Sequence, residues 1–275
     1  MSASFAILVA ASLFAMVLTG CGSKSSTGTS STTSTTGASG TTATTATSAA
    51  TATSAATPDA AKLVAESAKT TQTLRSVHIV LAATNLPKLA VSSVNADVTS
   101  QEQGNGQAVG DANFRATPDA PFVDTQFLVT NKTFYTKGAD GKYNSVGPSQ
   151  KIYDPAVILD KDKGLANVIK NVQNPKVDGK ETVDGVATVK VSGTIDASVI
   201  DPVIPTLGQG GGTLPITLWI ADVPPAATTT SIPSDQPSPG TGPNLVRMSA
   251  TKDQGSVEVT LSNWAKPVTI PSPTG

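Results

Sequence analysis

Apolar residues run without a charge from Phe5 to Val17, and large apolar side chains are missing between Gly22 and Ala56. They return at helical spacing from Ala60 to Leu74, then alternate in twos through most of the remaining chain. Thr57-Pro58-Asp59 reads as an N-cap, a proline at the first helical position and an acid near the positive helix end. The positions Ala60, Leu63, Val64, Ser67, Thr71 and Leu74 recur every three or four residues, so the spacing predicts a helix to about Ser76 with one narrow apolar face.

From Val77 the period becomes two. Val77, Ile79 and Leu81 alternate against His78, Val80 and Ala82, the pattern of a strand largely covered on both sides. Further strands are expected at 91–100, 106–115, 122–130 and 133–138. Gly104-Asn105-Gly106, Asp119-Ala120-Pro121, Asn131-Lys132 and Asp140-Gly141 supply the turns. Two short helices, near Asp154 to Leu159 and Leu165 to Val172, interrupt this meander. Strands then resume at 175–183, 186–195, 213–222, 244–252 and 255–264, with a short helix expected over Asp196 to Ile204. Asp184-Gly185 and Asp253-Gln254-Gly255 read as hairpin turns, while Gly208 to Gly212 and Pro224 to Pro243 read as surface loops.

The two leading stretches carry a different message. Phe5 to Val17 is too short for a comfortable membrane span, and Leu18-Thr19-Gly20-Cys21 follows it with small residues, the layout of a lipoprotein signal with its lipobox. Residues 1–20 are therefore expected to be removed and Cys21, the only cysteine, to carry lipid. Met1 to Gly20 holds neither Lys nor Arg, so the true start lies upstream or the signal is atypical. Residues 21–56 are expected to form the lipidated cysteine and a disordered tether of Gly, Ala, Ser and Thr, with Lys24 its one charge. Residues 57–275 then make a single domain with a flexible C-terminal end.

Candidate chemistry adds little. A net charge of -1 without a basic stripe argues against nucleic acid. The lone histidine, His78, cannot build a zinc site, and no metal or cofactor is expected. There is no G-x-S-x-G elbow; Ser249-Ala-Thr-Lys252 ends a strand rather than opening a helix. Asp160-Lys-Asp162-Lys-Gly164 starts like a calcium loop but lacks its closing Glu, and Gly208 to Gly212 has no Lys after it. The chain is read as non-enzymatic. The positive signal is one strand face of Ala108, Gly110, Ala112 and Phe114, with so little bulk at its centre that it cannot fill space by itself. Either a helix packs closer there, or a long apolar ligand occupies the gap, with Val94, Ala96 and Val98 helping to line it.

Lys151-Ile-Tyr-Asp-Pro-Ala156, Lys163-Gly-Leu-Ala-Asn-Val168, Pro215-Ile-Thr-Leu-Trp-Ile220 and Val257-Glu-Val-Thr-Leu-Ser-Asn-Trp264 resemble, in order, the mycobacterial lipoprotein family of LppX, LprA, LprF and LprG. The Asn85-Leu-Pro-Lys88 turn is also similar, and the resemblance spans nearly all of Pro58 to Ile270. The Pro224 to Pro243 loop departs from the shorter connection expected of the family. The resemblance implies an α+β fold: a strongly bent antiparallel sheet, half a barrel, with helices on the concave face enclosing an apolar cavity for a di- or triacylated glycolipid. It further implies a carrier held to the plasma membrane through acylated Cys21, facing the extracytoplasmic side of the envelope. A lipid-responsive sensor, or an interaction module for a membrane transporter or sensor protein, is the alternative. On this reading Leu86, Leu89 and Val91 stand near the entrance. Leu81, Val94, Val98, Phe114, Phe127, Val129, Val189 and Val191 line the cavity from strands, and Ile158, Val168 and Ile169 from helices.

Overall fold

Asp59 opens the first helix. Its carboxylate accepts the Lys62 amide at 2.9 Å, so Asp59 takes the capping role expected of Thr57, and α1 runs over Ala60–Gln72. The helix ends four residues before the expected Ser76, which already begins the first strand. In this computed structural model, residues 59–100, 106–223 and 242–273 are described; Thr57, Pro58, the signal, Cys21, the tether, Gly104-Asn105 and residues 224–241 lie outside them.

Eleven strands follow: β1 (Ser76–Thr84), β2 (Val91–Thr99), β3 (Gln107–Phe114), β4 (Val123–Thr130), β5 (Thr133–Lys137), β6 (Tyr143–Pro148), β7 (Gln173–Val183), β8 (Val186–Asp196), β9 (Thr213–Ala221), β10 (Leu245–Lys252) and β11 (Gly255–Ser262). They form one antiparallel sheet in the order β6-β5-β4-β3-β2-β1-β11-β10-β9-β8-β7. The sheet is curved and unclosed, with β6 and β7 as its edges. Two meanders, β1 to β6 and β7 to β11, are joined where β1 meets β11, in a register that sets Ile79 opposite Leu261 and Leu81 opposite Val259. Two-residue turns with both residues at positive φ, Asn131-Lys132 and Asp184-Gly185, match the twist of the hairpins they close.

Two expectations need correction. β1 is covered on one face only: Val77 and Ile79 are buried, whereas Val80 is 41% exposed on the other side. β6 has no counterpart in the sequence reading. An edge strand pairs on one side and needs no apolar alternation, and Tyr143-Asn-Ser-Val-Gly-Pro148 shows none. Pro148, which lacks an N–H, is tolerated there at the strand end.

The inner face of the sheet carries the helices. These are α1, α2 (Ser149–Ile152), a 3-10 helix (Pro155–Leu159), α3 (Leu165–Lys170) and α4 (Ala197–Ile200), the last a shorter element than the one expected over 196–204. α1 packs on α3 and on β7 and β9, α4 on β8 and α3, and the 3-10 helix on β2 and β3. Val64, Val168, Ile169, Val189, Val191, Leu218, Ile220 and Leu261 are all buried in one apolar cluster between these layers. Each contributes about 1.5–3 kcal/mol by leaving water.

Two glycines set how closely the layers and strands approach. A Cβ on Gly106 would collide with the Ala156 backbone of the 3-10 helix, and one on Gly110 with the Asn95 carbonyl on β2. Gly110→Ala is therefore expected to destabilise the domain by about 1–3 kcal/mol in urea denaturation; an unchanged midpoint would show that β2 and β3 separate freely there.

Candidate functional site

Coverage of the inner face is lopsided. On β8 to β11, the residues that face the helices (Val189, Val191, Ile216, Leu218, Ile220, Met248, Val257, Leu261) are buried. On the other half, burial holds only toward one end, at Ala96, Val98, Ala108, Phe127 and Val129. Toward the turns after β1 and β3, the same face becomes partly exposed at Leu81, Ala83, Val94, Ala112, Phe114 and Thr125. The register confirms that these positions share a face: Leu81 lies opposite Val94, Val94 opposite Ala112, and Ala112 opposite Thr125. Partly covered apolar residues in register across three strands, with Thr125 beside them on the fourth, form the kind of surface that a long apolar ligand fills.

At that end the face opens into a cleft of about 420 Å³ lined by Ala83, Asn85, Leu86, Pro87, Val91, Ser92, Arg115 and Phe122. The volume is at the small end of ligand pockets. Asn85 turns the chain out of β1 with φ 53°, and a shift of register between Val91 and Ser93 reopens β2 after the turn. Arg115 ties the rim together. Its Nε and Nη2 donate to the Leu89 carbonyl at 3.3 and 3.1 Å, Nη2 also donates to the Pro87 carbonyl, and Nη1 donates to the Pro118 carbonyl at 2.5 Å. Its guanidinium also lies over the Phe122 ring, 4.7 Å from the centroid. One side chain thus fixes both turns that bound the cleft.

Of the residues expected at the site, Leu86 and Val91 line this cleft, and Leu89 is buried in the turn between them. Leu81, Val94 and Phe114 lie on the partly exposed face that leads inward from it. Val98, Phe127, Val129, Ile158, Val168, Ile169, Val189 and Val191 sit deeper, buried in the main core cluster. Phe127 stacks on Phe134 of β5 with ring centroids 5.6 Å apart. Cys21 lies outside the described residues. Ala83, Ser92, Arg115 and Phe122 were not foreseen; Arg115 follows directly on the small-residue face, but a lone charge at a strand end carries no periodic signal.

The polar groups singled out in the sequence are engaged elsewhere. His78 Nδ1 and Asp97 Oδ1 pair at 2.7 Å on the outer face of β1 and β2. Asp160 accepts the amides of Asp162 and Lys163, both at 2.8 Å, and so shapes the connection into α3. Lys252 Nζ donates to the Leu207 carbonyl at 2.7 Å and to that of Gln209, which holds down the loop before β9. Tyr153 donates from its phenol to the Val203 carbonyl at 2.9 Å and pins the segment before the 3-10 helix to the one after α4. Burial pushes the pKa of that phenol well above its usual value, and the neighbouring Asp154 carboxylate adds to the shift.

Comparison with known proteins fits this geometry. The model of the LppX_LprAFG lipoprotein family matches residues 59–270. The chain belongs to that family. It is 51% identical over 270 residues to the putative diacylated glycolipid transporter LprF of Mycobacterium tuberculosis H37Rv, covering 98% of this chain and 91% of that one. It is 28% identical over 274 residues to the lipoarabinomannan carrier protein LprG of the same strain, covering 98% and 94%. The crystal structure of LprF from Mycobacterium bovis superposes with a TM-score of 0.72 at 57% identity, over 80% of this chain and 99% of that one. That of LppX from Mycobacterium tuberculosis gives 0.52 at 25% identity, over 76% and 98%. The LppX_LprAFG fold is thus the bent, helix-lined sheet described above.

Tyr153→Phe is expected to cost about 1 kcal/mol near neutral pH, a fall of about 2–4 °C in Tm. Because the folded phenol resists ionisation, the unfolded state gives up its proton first as pH rises. The wild-type protein should therefore lose stability above about pH 10, while Tyr153→Phe is spared this loss. Equal thermal stability of the two proteins near neutral pH would show that the hydroxyl contributes nothing there.

Proposed function

We propose that this chain is a membrane-anchored carrier that holds the acyl chains of a diacylated glycolipid on the half-covered inner face of its sheet and moves the lipid within the cell envelope. The observation that carries this reading is the apolar face running from Val94, Ala112 and Phe114 to an open cleft at Leu86 and Val91. It is supported by the strong similarity to a protein described as a putative diacylated glycolipid transporter. The lipid's polar head stays outside the cleft. Acylated Cys21 holds the protein to the plasma membrane on the extracytoplasmic side, and no covalent chemistry is performed on the cargo.

The energetics suit reversible carriage. Moving ten methylenes from water to the protein is worth about 8 kcal/mol, enough by itself for roughly micromolar binding. A bilayer already provides an apolar surrounding, so exchange between membrane and protein is nearly balanced. Loading and release then use the same site.

Native mass spectrometry of the protein purified from a mycobacterial host, followed by organic extraction, tests this reading. A mass excess that resolves into an acylated glycolipid is expected; a clean apo mass would contradict it. Val94→Trp places a large ring on the partly exposed face and should cut the bound fraction at least about tenfold, with Tm within a few degrees of wild type. The same change at Val98, which is 1% exposed, would instead disturb the core.

A further inference from the structure

The cleft ends in a lip whose apolar side chains are only partly covered. Val91, Phe114 and Val123 stand opposite one another across β2, β3 and β4, at the strand ends nearest the cleft. With strands about 4.8 Å apart, this row is roughly 10 Å wide. Exposure rises along it, from the partly exposed Val91 and Phe114 to Val123 at 54%. Next to Val123 in the chain is Phe122, 39% exposed and itself a wall of the cleft. Apolar side chains of the cleft wall therefore continue, through Phe122, to Val123 on the outside of the molecule.

We propose that this lip docks on the surface of a lipid bilayer, with Phe122 and Val123 entering the boundary between headgroups and acyl chains. The proposal rests on the carrier reading and adds to it the face through which lipid passes. A diacyl lipid that crossed water would expose its methylenes at about 0.8 kcal/mol each, so the mouth of the cleft must touch the membrane for exchange to be balanced. The lip has the make-up of an interfacial element. An aromatic ring is stacked under a guanidinium whose hydrogen bonds all go to main-chain carbonyls and which has no carboxylate partner among the described residues. Pro118 and Pro121 stiffen the turn that carries it. Formal charge at the lip is balanced, with Lys88 and Arg115 against Asp119 and Asp124, the last accepting from Asn113 Nδ2 at 2.7 Å. Apolar contact is thus the attraction, and zwitterionic lipid suffices.

Cys21 is the chain's only cysteine, so once it is acylated an introduced thiol can be labelled uniquely. The acylated full chain carrying Val123→Cys with an environment-sensitive fluorophore is reconstituted in phosphatidylcholine liposomes containing a doxyl-labelled phosphatidylcholine quencher. Val146→Cys on the β6 edge, from a valine 56% exposed, is the control. The expected result is a blue-shifted, quenched signal at 123 that persists in high salt, and a water-like signal at 146. A water-like signal at both positions, or equal quenching at both, would overturn the proposal. So would a change at 123 seen only when native membrane proteins are added, which would assign the lip to a protein partner. In a second measurement, Val123→Asp should slow lipid uptake from liposomes about tenfold and leave loading from detergent micelles unchanged; unaltered uptake would likewise count against the lip. Loading from micelles separates the two readings, because a protein that binds no lipid defeats the carrier, whereas a loaded protein whose lip stays in water defeats only the docking surface.

Discussion

The ladder between β1 and β11 is the contact on which the rest of the structure depends. It pairs the first strand of the domain with the last and turns two separate meanders into one eleven-stranded sheet. α1 and α4 pack on the second meander, where β8 and β9 bury Val189, Val191, Leu218 and Ile220 completely, while α2 lies against β5 and β6. The first meander has the 3-10 helix over one end and no helix over the other. Joined through β1, it is supported by a core it does not itself fill. That asymmetry leaves apolar surface free at Val94, Ala112 and Phe114 while the domain as a whole stays well packed.

A fully packed inner face would be more stable and would bind nothing. Gly106 and Gly110 show how the opposite is built. They draw the 3-10 helix and β2 close to β3, so that the buried end of the first meander is tight. Arg115 then holds the open end in shape from its edges, through the carbonyls of Pro87, Leu89 and Pro118. Those bonds keep the guanidinium at the rim, where it stays partly exposed, so its charge is not fully buried in the cleft, which would be costly.

Much of this was legible in the sequence, and the exceptions have physical causes. The α1 face, the hairpin turns at Asn131-Lys132 and Asp184-Gly185 and the two short helices around Ala156 and Val168 follow from local spacing and turn chemistry. The quoted family motifs implied the bent sheet. β6 left no trace, because an edge strand with Asn144, Ser145 and Val146 all exposed has no apolar period to read. β1 was misjudged because His78-Ile-Val-Leu81 is mostly apolar, yet Val80 faces outward beside the His78–Asp97 pair. The pairing of β1 with β11 spans the whole domain and has no local signature. Arg115 and Phe122 become part of the cleft only when two turns distant in sequence meet. Among the residues named in advance, Leu86 and Val91 line the cleft, whereas Val189 and Val191 belong to the half of the sheet that helices cover.

The most direct test of the account uses a diacyl glycolipid with a diazirine near the end of one acyl chain, loaded into the protein, photolysed and mapped by peptide mass spectrometry. Adducts are expected on β1 to β3, at Leu81, Val94, Ala112 or Phe114. Adducts confined to the α3 and β8–β9 interface, or to the outer face around Val80, would contradict the claim that the half-covered inner face is where the lipid lies.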